Sequence, residues 1–527
     1  MTAPAATRRL PDALFDPAAF PHGPASVELR ETHISWVFLA GSKVYKVKKP
    51  VRFPFLDYST LERRRALCHA ELELGARFAP SLYNGVVALV PDGPDGLRVA
   101  PEHDARAVEY AVVMGRYDES ATLRAQLAER RVPAADARAV GATVARLHQR
   151  SPVVYADGTP RLAAVIEETV ATLTEAGAPA RRVEELARFC RSALIAFGPE
   201  LDERSRLGHV RDGHGDLRAE HVLLGKPVQT VDAIEFDPEL RIADVGYDLA
   251  FLLMDVARTD DDLARALVRG YRAAGGDPGS DRLLAFFSAV RALVRAKVDL
   301  LRAAQLTGAA EQARTARGLA LLDLADRFAW RVRLPRLVCV AGPAASGKST
   351  VAEALATRAG RPVISSDRIR KLQAGIDPYE KAPPSAYGDI QSRAVYAELA
   401  QRAAIALRES GGAIVDATFR RRADSDAFAA TTPLAASAGW IVCEAPPAVL
   451  LERARRRALS DSVSDAGPNI VAAELTVHHG HVITPTAPLA RLDTTRPVPE
   501  LLADLARSLD ERMAAEDHHQ SSAEAGR

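Results

Sequence analysis

Cysteine is scarce in this sequence of 527 residues, which contains four cysteines, four methionines and three tryptophans. The cysteines Cys68, Cys190, Cys339 and Cys443 are far apart and form no Cys-x-x-Cys pair. Disulfide-stabilised domains are usually small and carry closely spaced cysteines. The spacing therefore argues against a disulfide framework and indicates reduced side chains, most of them in the core.

Long apolar runs are also missing. The most apolar stretch, LAFLLMDVA at 249–257, is far shorter than the roughly 20 residues that a membrane-spanning helix needs. The first twenty residues contain no apolar core of signal-peptide length. We therefore expect a cytoplasmic protein without a membrane partner.

An excess of charge of one sign is absent as well. Lysine and arginine total 69 against 68 aspartates and glutamates, which gives a formal net charge of +1. A strong positive field over the whole protein is therefore excluded. We do not expect nucleic acid as a partner. The short basic run at 420–422 is the segment that would contact nucleic-acid phosphates if this expectation is wrong.

The length predicts two or more domains. After a β-rich start, helical patterns dominate up to about residue 330, and strand-like and helical runs then alternate, which predicts a doubly wound parallel sheet. The predicted boundaries are one domain at 1–330, a second at 334–510 and a disordered polar tail at 513–527.

The segment GPAASGKS at 342–349 satisfies the phosphate-loop pattern GxxxxGK[ST] in full. Its glycines let backbone N–H groups close around phosphate oxygens, and the helix that follows favours negative charge at its N-terminus. Lys348 would reach the β- and γ-phosphates, and the Ser349 hydroxyl would bind Mg²⁺. The predicted nucleotide-binding residues are Gly342, Ala345, Ser346, Gly347, Lys348, Ser349 and Thr350.

Three segments after this loop carry further candidates. Asp367 follows the second predicted strand and would accept a proton from an acceptor hydroxyl, and Arg370 would bind the substrate or a phosphate. Alternatively, Asp367 caps a helix and Arg370 is a surface residue. Asp416 ends the third strand and would hold Mg²⁺. Arg453 and Arg457 share a helix face and would close over the phosphate, unless that helix is simply solvated.

Together, the phosphate loop, SSDRIRK at 365–371, IVDATFRRR at 414–422 and the arginine helix resemble the small-molecule and polynucleotide kinase branch of P-loop proteins. That branch includes gluconate-kinase-like enzymes, the kinase domain of polynucleotide kinase and zeta-toxin-like kinases. The resemblance covers about 334–497 and implies transfer of a phosphoryl group from ATP or GTP to a hydroxyl.

The first domain contains HGDLRAEHVLL at 214–224, IEFDPELR at 234–241 and then YDLA at 247–250. This order resembles the aminoglycoside phosphotransferase family, which shares the bilobal protein-kinase-like fold. The resemblance implies that Asp216 accepts the substrate proton and that His221, Glu235 and Asp237 are metal ligands.

The β-rich segment at 29–114 would supply the nucleotide-binding lobe. Lys46 in KVYKVKK is the candidate for the ATP phosphates, with Lys48 as the second choice, and Glu71 in a predicted helix at 60–78 is its expected partner. For each lysine alone, a solvated strand edge is the alternative.

Two positions depart from the family pattern: His221 stands where relatives have Asn, and Glu235 where they have Asp. A neutral imidazole is a poor ligand for Mg²⁺, which prefers oxygen. The histidine is also consistent with a structural role or a weakened site. The chain as a whole resembles a bacterial group in which an aminoglycoside-phosphotransferase-like domain precedes a P-loop kinase domain.

These observations predict a two-domain α/β and α+β protein with two nucleotide sites, each transferring the γ-phosphate of ATP or GTP, with Mg²⁺, to a small-molecule hydroxyl such as that of a sugar. Two alternatives stay open. In the first, the N-terminal domain binds a nucleotide or another ligand as a sensor and does not catalyse transfer. In the second, the C-terminal domain is a polynucleotide kinase or an NTP-hydrolysing switch. The acceptors, the choice of nucleotide and the oligomeric state do not follow from the sequence.

Overall fold

The computed structural model describes residues 10–53, 56–93, 96–431, 437–457, 465–478 and 487–524. The chain forms two compact units. Unit 1 comprises residues 1–161 and 200–280, and unit 2 comprises residues 162–199 and 281–527.

Elements up to residue 280 are mostly short strands followed by helices. The strands are β1 Val27–Glu31, β2 Ser35–Ala40, β3 Lys43–Lys48, β4 Arg52–Phe53, β5 Leu56–Asp57, β6 Tyr83–Asp92, β7 Gly96–Pro101, β8 Glu109–Gly115, β9 Val210–Asp212, β10 Val222–Leu223, β11 Gln229–Thr230 and β12 Ile242–Asp244. The helices are α1 Leu61–Phe78, α2 Leu123–Ala128, α3 Ala134–Arg150, α4 Gly158–Glu175, α5 Ala180–Arg206, α6 Val245–Ala257 and α7 Asp261–Ala273.

Elements after residue 280 alternate between helices and strands. The helices are α8 Asp281–Ala303, α9 Ala309–Arg333, α10 Lys348–Ala359, α11 Ser366–Gln373, α12 Asp389–Glu409, α13 Arg422–Thr431, α14 Pro447–Arg457, α15 Pro468–His478 and α16 Val498–Glu524. The strands are β13 Leu337–Ala341, β14 Val363–Ser365, β15 Ala413–Asp416, β16 Gly439–Glu444 and β17 Ala490–Asp493.

Unit 1 begins with an antiparallel sheet of six strands in the order β1-β2-β3-β8-β6-β7. The hairpin between β2 and β3 turns at Gly41, where φ is +60°, a backbone conformation that glycine adopts without strain. Helix α1 contacts β6 and β8, and its first turn is capped by the Thr60 hydroxyl, which accepts the N–H of Arg63. The helix predicted at 60–78 and the β-rich character of 29–114 are confirmed, and residues 231–236 are irregular.

Unit 2 is built on a five-stranded parallel sheet in the order β14-β15-β13-β16-β17. The buried residues of β13 alternate between two apolar clusters. Leu337 and Cys339 pack with residues of α12 and α13, and Val338 and Val340 pack with residues of α10 and α16. Helices therefore cover both faces, as the predicted doubly wound sheet requires.

The division into compact units differs from the sequence-based boundary near residue 330. Helices α8 and α9 belong to unit 2, because Trp330 joins the apolar cluster of Val338. Arg333 at the end of α9 also forms a buried ion pair with Asp510 of α16, with Nε–Oδ1 at 2.8 Å and Nη2–Oδ2 at 3.0 Å. Whether 1–330 and 334–510 fold independently stays a prediction.

The end of the chain also differs from expectation. The polar segment predicted to be disordered from residue 513 continues helix α16 as far as Glu524, which fits its alanines and glutamates, both strong helix formers. Within the described part of the chain, no helix is long and apolar enough to cross a membrane.

Candidate active sites

The phosphate loop of unit 2 connects β13 to α10, as predicted. Its backbone turns through left-handed conformations at Ala345 (φ +64°) and Gly347 (φ +81°). A Cβ on Gly342 would lie 2.5 Å from the Ser346 hydroxyl and 2.6 Å from the backbone oxygen of Cys443. Only glycine therefore fits at the first position of this loop.

Lys348 is the first residue of α10, Asp416 is the last residue of β15, the strand beside β13, and both side chains are buried. The pKa of Asp416 is raised above its usual value, mainly because the carboxyl group is buried. Asp367 adds to this rise, whereas Lys348 and a hydrogen bond with Ser349 partly offset it. Oδ1 of Asp416 is buried without a hydrogen-bond partner in the described structure. An orphaned carboxylate oxygen next to a serine hydroxyl fits the oxygen ligands that Mg²⁺ prefers.

A cavity of about 680 Å³ opens beside the phosphate loop. Its wall includes Lys348, Asp367, Arg370, Lys381 and Tyr387. The structure thus brings the predicted phosphate-binding lysine, the predicted base and the predicted substrate arginine to one cavity. Its volume is in the range of small-molecule sites.

Arg370 is buried in the cavity wall without a carboxylate partner in the described structure. One guanidinium nitrogen donates to the carbonyl oxygen of Ala386 at 2.6 Å, and the group lies 4.6 Å from the centre of the Tyr387 ring. Its Nε is buried with no hydrogen-bond acceptor. Burying an uncompensated charge is costly, so this cation is suited to an anionic ligand.

Arg453 contacts the phosphate loop rather than the open cavity. Its guanidinium donates to the backbone oxygen of Thr494 at 2.6 Å, to the Thr494 hydroxyl at 3.0 Å and to the backbone oxygen of Ala345 at 3.4 Å. The Thr494 hydroxyl in turn donates to the backbone oxygen of Ser346 at 2.7 Å. Arg453 therefore braces the loop, and Arg457 is the half-buried last residue of α14.

In unit 1, both candidate lysines of β3 contact the same glutamate. Lys46 Nζ lies 2.8 Å from Oε1 of Glu71, and Lys48 Nζ lies 2.8 Å from Oε2. The Lys48 side chain is 1% exposed, whereas that of Lys46 is 17% exposed. Lys46 is thus the lysine that a nucleotide can reach.

The carboxylates of the segment at 232–237 have different surroundings. Glu235 is buried and accepts hydrogen bonds from Lys48 and from the Tyr58 hydroxyl. Burial alone would raise the pKa of Glu235, but Lys48 and Lys46 outweigh it and hold that pKa below its usual value. Asp237 accepts the backbone N–H of Glu239 at 2.9 Å and caps a short turn.

Asp232, which was not among the predicted residues, lies 3.0 Å from Lys46 Nζ through its Oδ1. Lys46 is the main reason that the pKa of Asp232 is well below its usual range. The sequence signal was present, since this aspartate opens the segment DAIEF just before Glu235.

The predicted base Asp216 lies in a short loop with its partners close by. Arg218 donates from two nitrogens to its two carboxylate oxygens, both at 2.8 Å. His221 contacts the backbone oxygen of Asp216 through Nδ1 at 2.8 Å, and the same nitrogen lies 3.6 Å from Oδ2. The imidazole of His221 therefore lies beside the predicted base, and its role as a metal ligand stays a prediction.

Asp248 of α6 holds this loop in shape. Its carboxylate accepts the backbone N–H of His214 at 2.8 Å and that of Gly215 at 3.0 Å, and it lies 3.3 Å from Nε2 of His148. Burial lowers the pKa of His214 to about 4, so its ring is neutral at pH 7. The segment YDLA marked Asp248, but its role became visible only through these contacts.

Comparison with known proteins found a family model and several similar solved structures. A family model described as an AAA domain matches residues 337–478. A gluconokinase from Sinorhizobium meliloti is 23% identical and covers 36% of this chain and 99% of its own, with a TM-score of 0.26. A choline/ethanolamine kinase family protein from Mesorhizobium loti is 19% identical and covers 58% of this chain and 92% of its own, with a TM-score of 0.35. An aminoglycoside 2′-phosphotransferase is 16% identical and covers 60% of this chain and 94% of its own, with a TM-score of 0.33.

A full-length relative shows the family. An uncharacterised protein of Mycobacterium tuberculosis is 31% identical over 490 residues, which are 88% of this chain and 93% of that protein. The phosphate loop predicted from the sequence lies within the residues that the AAA domain model matches. The chain belongs to the family of this mycobacterial protein.

Proposed function

We propose that the protein is a phosphotransferase with two nucleotide sites, each of which transfers the γ-phosphate of ATP to a hydroxyl of a small molecule. The observation that carries this proposal is the cavity of unit 2, where Lys348, Asp367 and Arg370 lie together beside the phosphate loop. Phosphoryl transfer needs positioning and charge neutralisation more than covalent chemistry. These residue types supply both.

In unit 2, the backbone N–H groups of the phosphate loop and Lys348 would bind the nucleotide phosphates, while Ser349 and Asp416 would hold Mg²⁺. The metal neutralises charge on the β- and γ-phosphate oxygens when it is bound. Asp367 takes the proton of the acceptor hydroxyl while the hydroxyl oxygen forms a bond to the γ-phosphorus. The bond from that phosphorus to the bridging oxygen breaks, and ADP leaves with the electron pair.

The acceptor of unit 2 is expected to carry an anionic group. Arg370 is a buried cation without a carboxylate partner in the described structure, and Lys381 lies in the same wall. A carboxylate or phosphate on the acceptor would compensate these charges and place its hydroxyl near Asp367. Arg453 would hold the phosphate loop in place through its hydrogen bonds to Ala345 and Thr494.

In unit 1, Lys46 would bind the nucleotide phosphates, and Asp216 would receive the acceptor proton. The Lys46–Glu71 ion pair and the loop held by Asp248 support this assignment. Arg218 now bonds both oxygens of Asp216. Each of these oxygens has a further lone pair that can accept the hydrogen bond of an acceptor hydroxyl.

The Arg218–Asp216 pair also favours a second candidate function for unit 1. A base whose two oxygens are bonded, next to His221 in place of Asn, suits a nucleotide or ligand sensor that does not turn over. In that case His221→Asn should create or greatly raise turnover in unit 1. High turnover of the unchanged protein would contradict the sensor.

The test is ATP consumption by the unchanged protein and by the Asp216→Ala and Lys348→Ala variants, with Mg²⁺ and a pooled metabolite library. New phosphorylated products are followed together with ADP. Loss of a different product in each variant is expected if both units are kinases. If only Lys348→Ala has an effect, unit 1 is the sensor, and if neither has, the proposed function is wrong.

A further inference from the structure

The segment at 232–237 offers three carboxylates to the nucleotide site of unit 1, and only one of them faces Lys46 while remaining accessible. Glu235 is buried and bonded to Lys48 and Tyr58. Asp237 is used as the cap of a turn. The side chain of Asp232 is 42% exposed and has one oxygen 3.0 Å from Lys46 Nζ.

The backbone of Asp232 is held in the left-handed region, with φ at +59°. This conformation costs a non-glycine residue on the order of 1 kcal/mol or more, although aspartate and asparagine tolerate it best. In this conformation, the Asp232 carboxylate faces the ammonium group of Lys46. Strained backbone of this kind is frequent at ligand sites.

A single carboxylate is enough for a metal that arrives with a nucleotide. Magnesium is commonly bound through one or two carboxylates, with substrate phosphates and water completing its octahedron. Within the described residues, no cluster of three His, Cys, Asp or Glu side chains could hold a metal alone. A metal held in unit 1 by one carboxylate would be completed by phosphate oxygens and water, and phosphate is what the neighbouring Lys46 attracts.

We propose that Asp232, and neither Glu235 nor Asp237, is the carboxylate of unit 1 that binds the metal of a metal–nucleotide complex. The inference rests on the proposed nucleotide site of unit 1 and assigns its metal ligand. In a metal–nucleotide complex, the Asp232 carboxylate would hold the metal in place of its contact with Lys46, and Lys46 Nζ would be free to bind the phosphates. Glu235 keeps Lys48 neutralised and the lobe folded.

The test measures ATP affinity by calorimetry with and without Mg²⁺, in full-length protein carrying Lys348→Ala so that the phosphate loop of unit 2 does not contribute. Asp232→Asn is compared with Glu235→Gln. Asparagine tolerates the left-handed backbone, so Asp232→Asn should fold. Thermal unfolding of each variant checks this.

We expect Mg²⁺ to tighten ATP binding by at least roughly tenfold in the Lys348→Ala protein. Asp232→Asn should abolish this gain while leaving metal-free ATP affinity unchanged or higher, because one negative charge near the phosphates is removed. Glu235→Gln should retain the gain. A gain that survives Asp232→Asn, or that is lost in Glu235→Gln alone, overturns the assignment and leaves the nucleotide site standing. If the Lys348→Ala protein binds no ATP, both the assignment and the proposed function of unit 1 are wrong.

Discussion

The two lysines of β3 should have separable roles. Lys48→Met breaks contacts with Glu71 and Glu235 in a site where the three side chains are 1%, 2% and 7% exposed. Breaking a buried ion pair costs about 3–5 kcal/mol. For a unit of this size, that corresponds to a fall in Tm of roughly 10 °C.

Lys46→Met should destabilise unit 1 far less. Its partner Asp232 is 42% exposed and can be solvated by water, and Glu71 keeps its contact with Lys48. We expect a loss of about 1 kcal/mol or less. ATP affinity, in contrast, should fall by at least roughly tenfold, because the only accessible lysine of the pair is gone.

Scanning calorimetry and ATP titration of the full chain in the Lys348→Ala background measure both effects. Lys43→Met is the matched control, since Lys43 lies on the same strand and is exposed; it should change stability by less than about 0.5 kcal/mol. The reasoning is refuted if Lys46→Met lowers Tm as much as Lys48→Met. It is equally refuted if Lys48→Met loses ATP binding at an unchanged Tm.

Further predictions concern the phosphate loop, the loop of the predicted base and acid stability. Gly342→Ala places a methyl group against the backbone oxygen of Cys443 and should weaken P-loop nucleotide binding at least roughly tenfold, whereas Gly198→Ala, whose added methyl meets no atom within 4 Å, should not. Asp248→Asn replaces one of the two carboxylate oxygens that accept the backbone N–H groups of His214 and Gly215 with an NH₂ donor. The unit 1 product should therefore disappear while the unit 2 product persists; equal loss of both would contradict this. Because the folded pKa of His214 is about 4, below its unfolded value of 6.5, protonation favours the unfolded chain. Stability should therefore be intact above pH 6.5 and fall by about 3 kcal/mol towards pH 4, and urea unfolding of His214→Gln should lack that fall.

The chemistry carried by contiguous residues could be predicted from the sequence. The phosphate loop is one uninterrupted segment, and its shape follows from glycine positions and from the helix that starts at Lys348. The loop at 214–221 is equally local, so the placement of Asp216 beside His221 followed from spacing. The alternation of strands and helices after residue 333 also determined the parallel sheet.

Apart from the expected pair of Lys46 and Glu71, the contacts between distant polar groups became visible only in the tertiary structure. Lys46 and Asp232 are 186 positions apart, and nothing local distinguishes Asp232 from Glu235 as the partner that stays accessible. The contact of Arg453 with Thr494 and the packing of Trp330 beside Val338 are of the same kind. Such pairings depend on which faces are buried when distant elements pack, and burial then sets the cost and the partner of each charge. A motif thus determines what a site can do, whereas packing determines which neighbouring residues complete it.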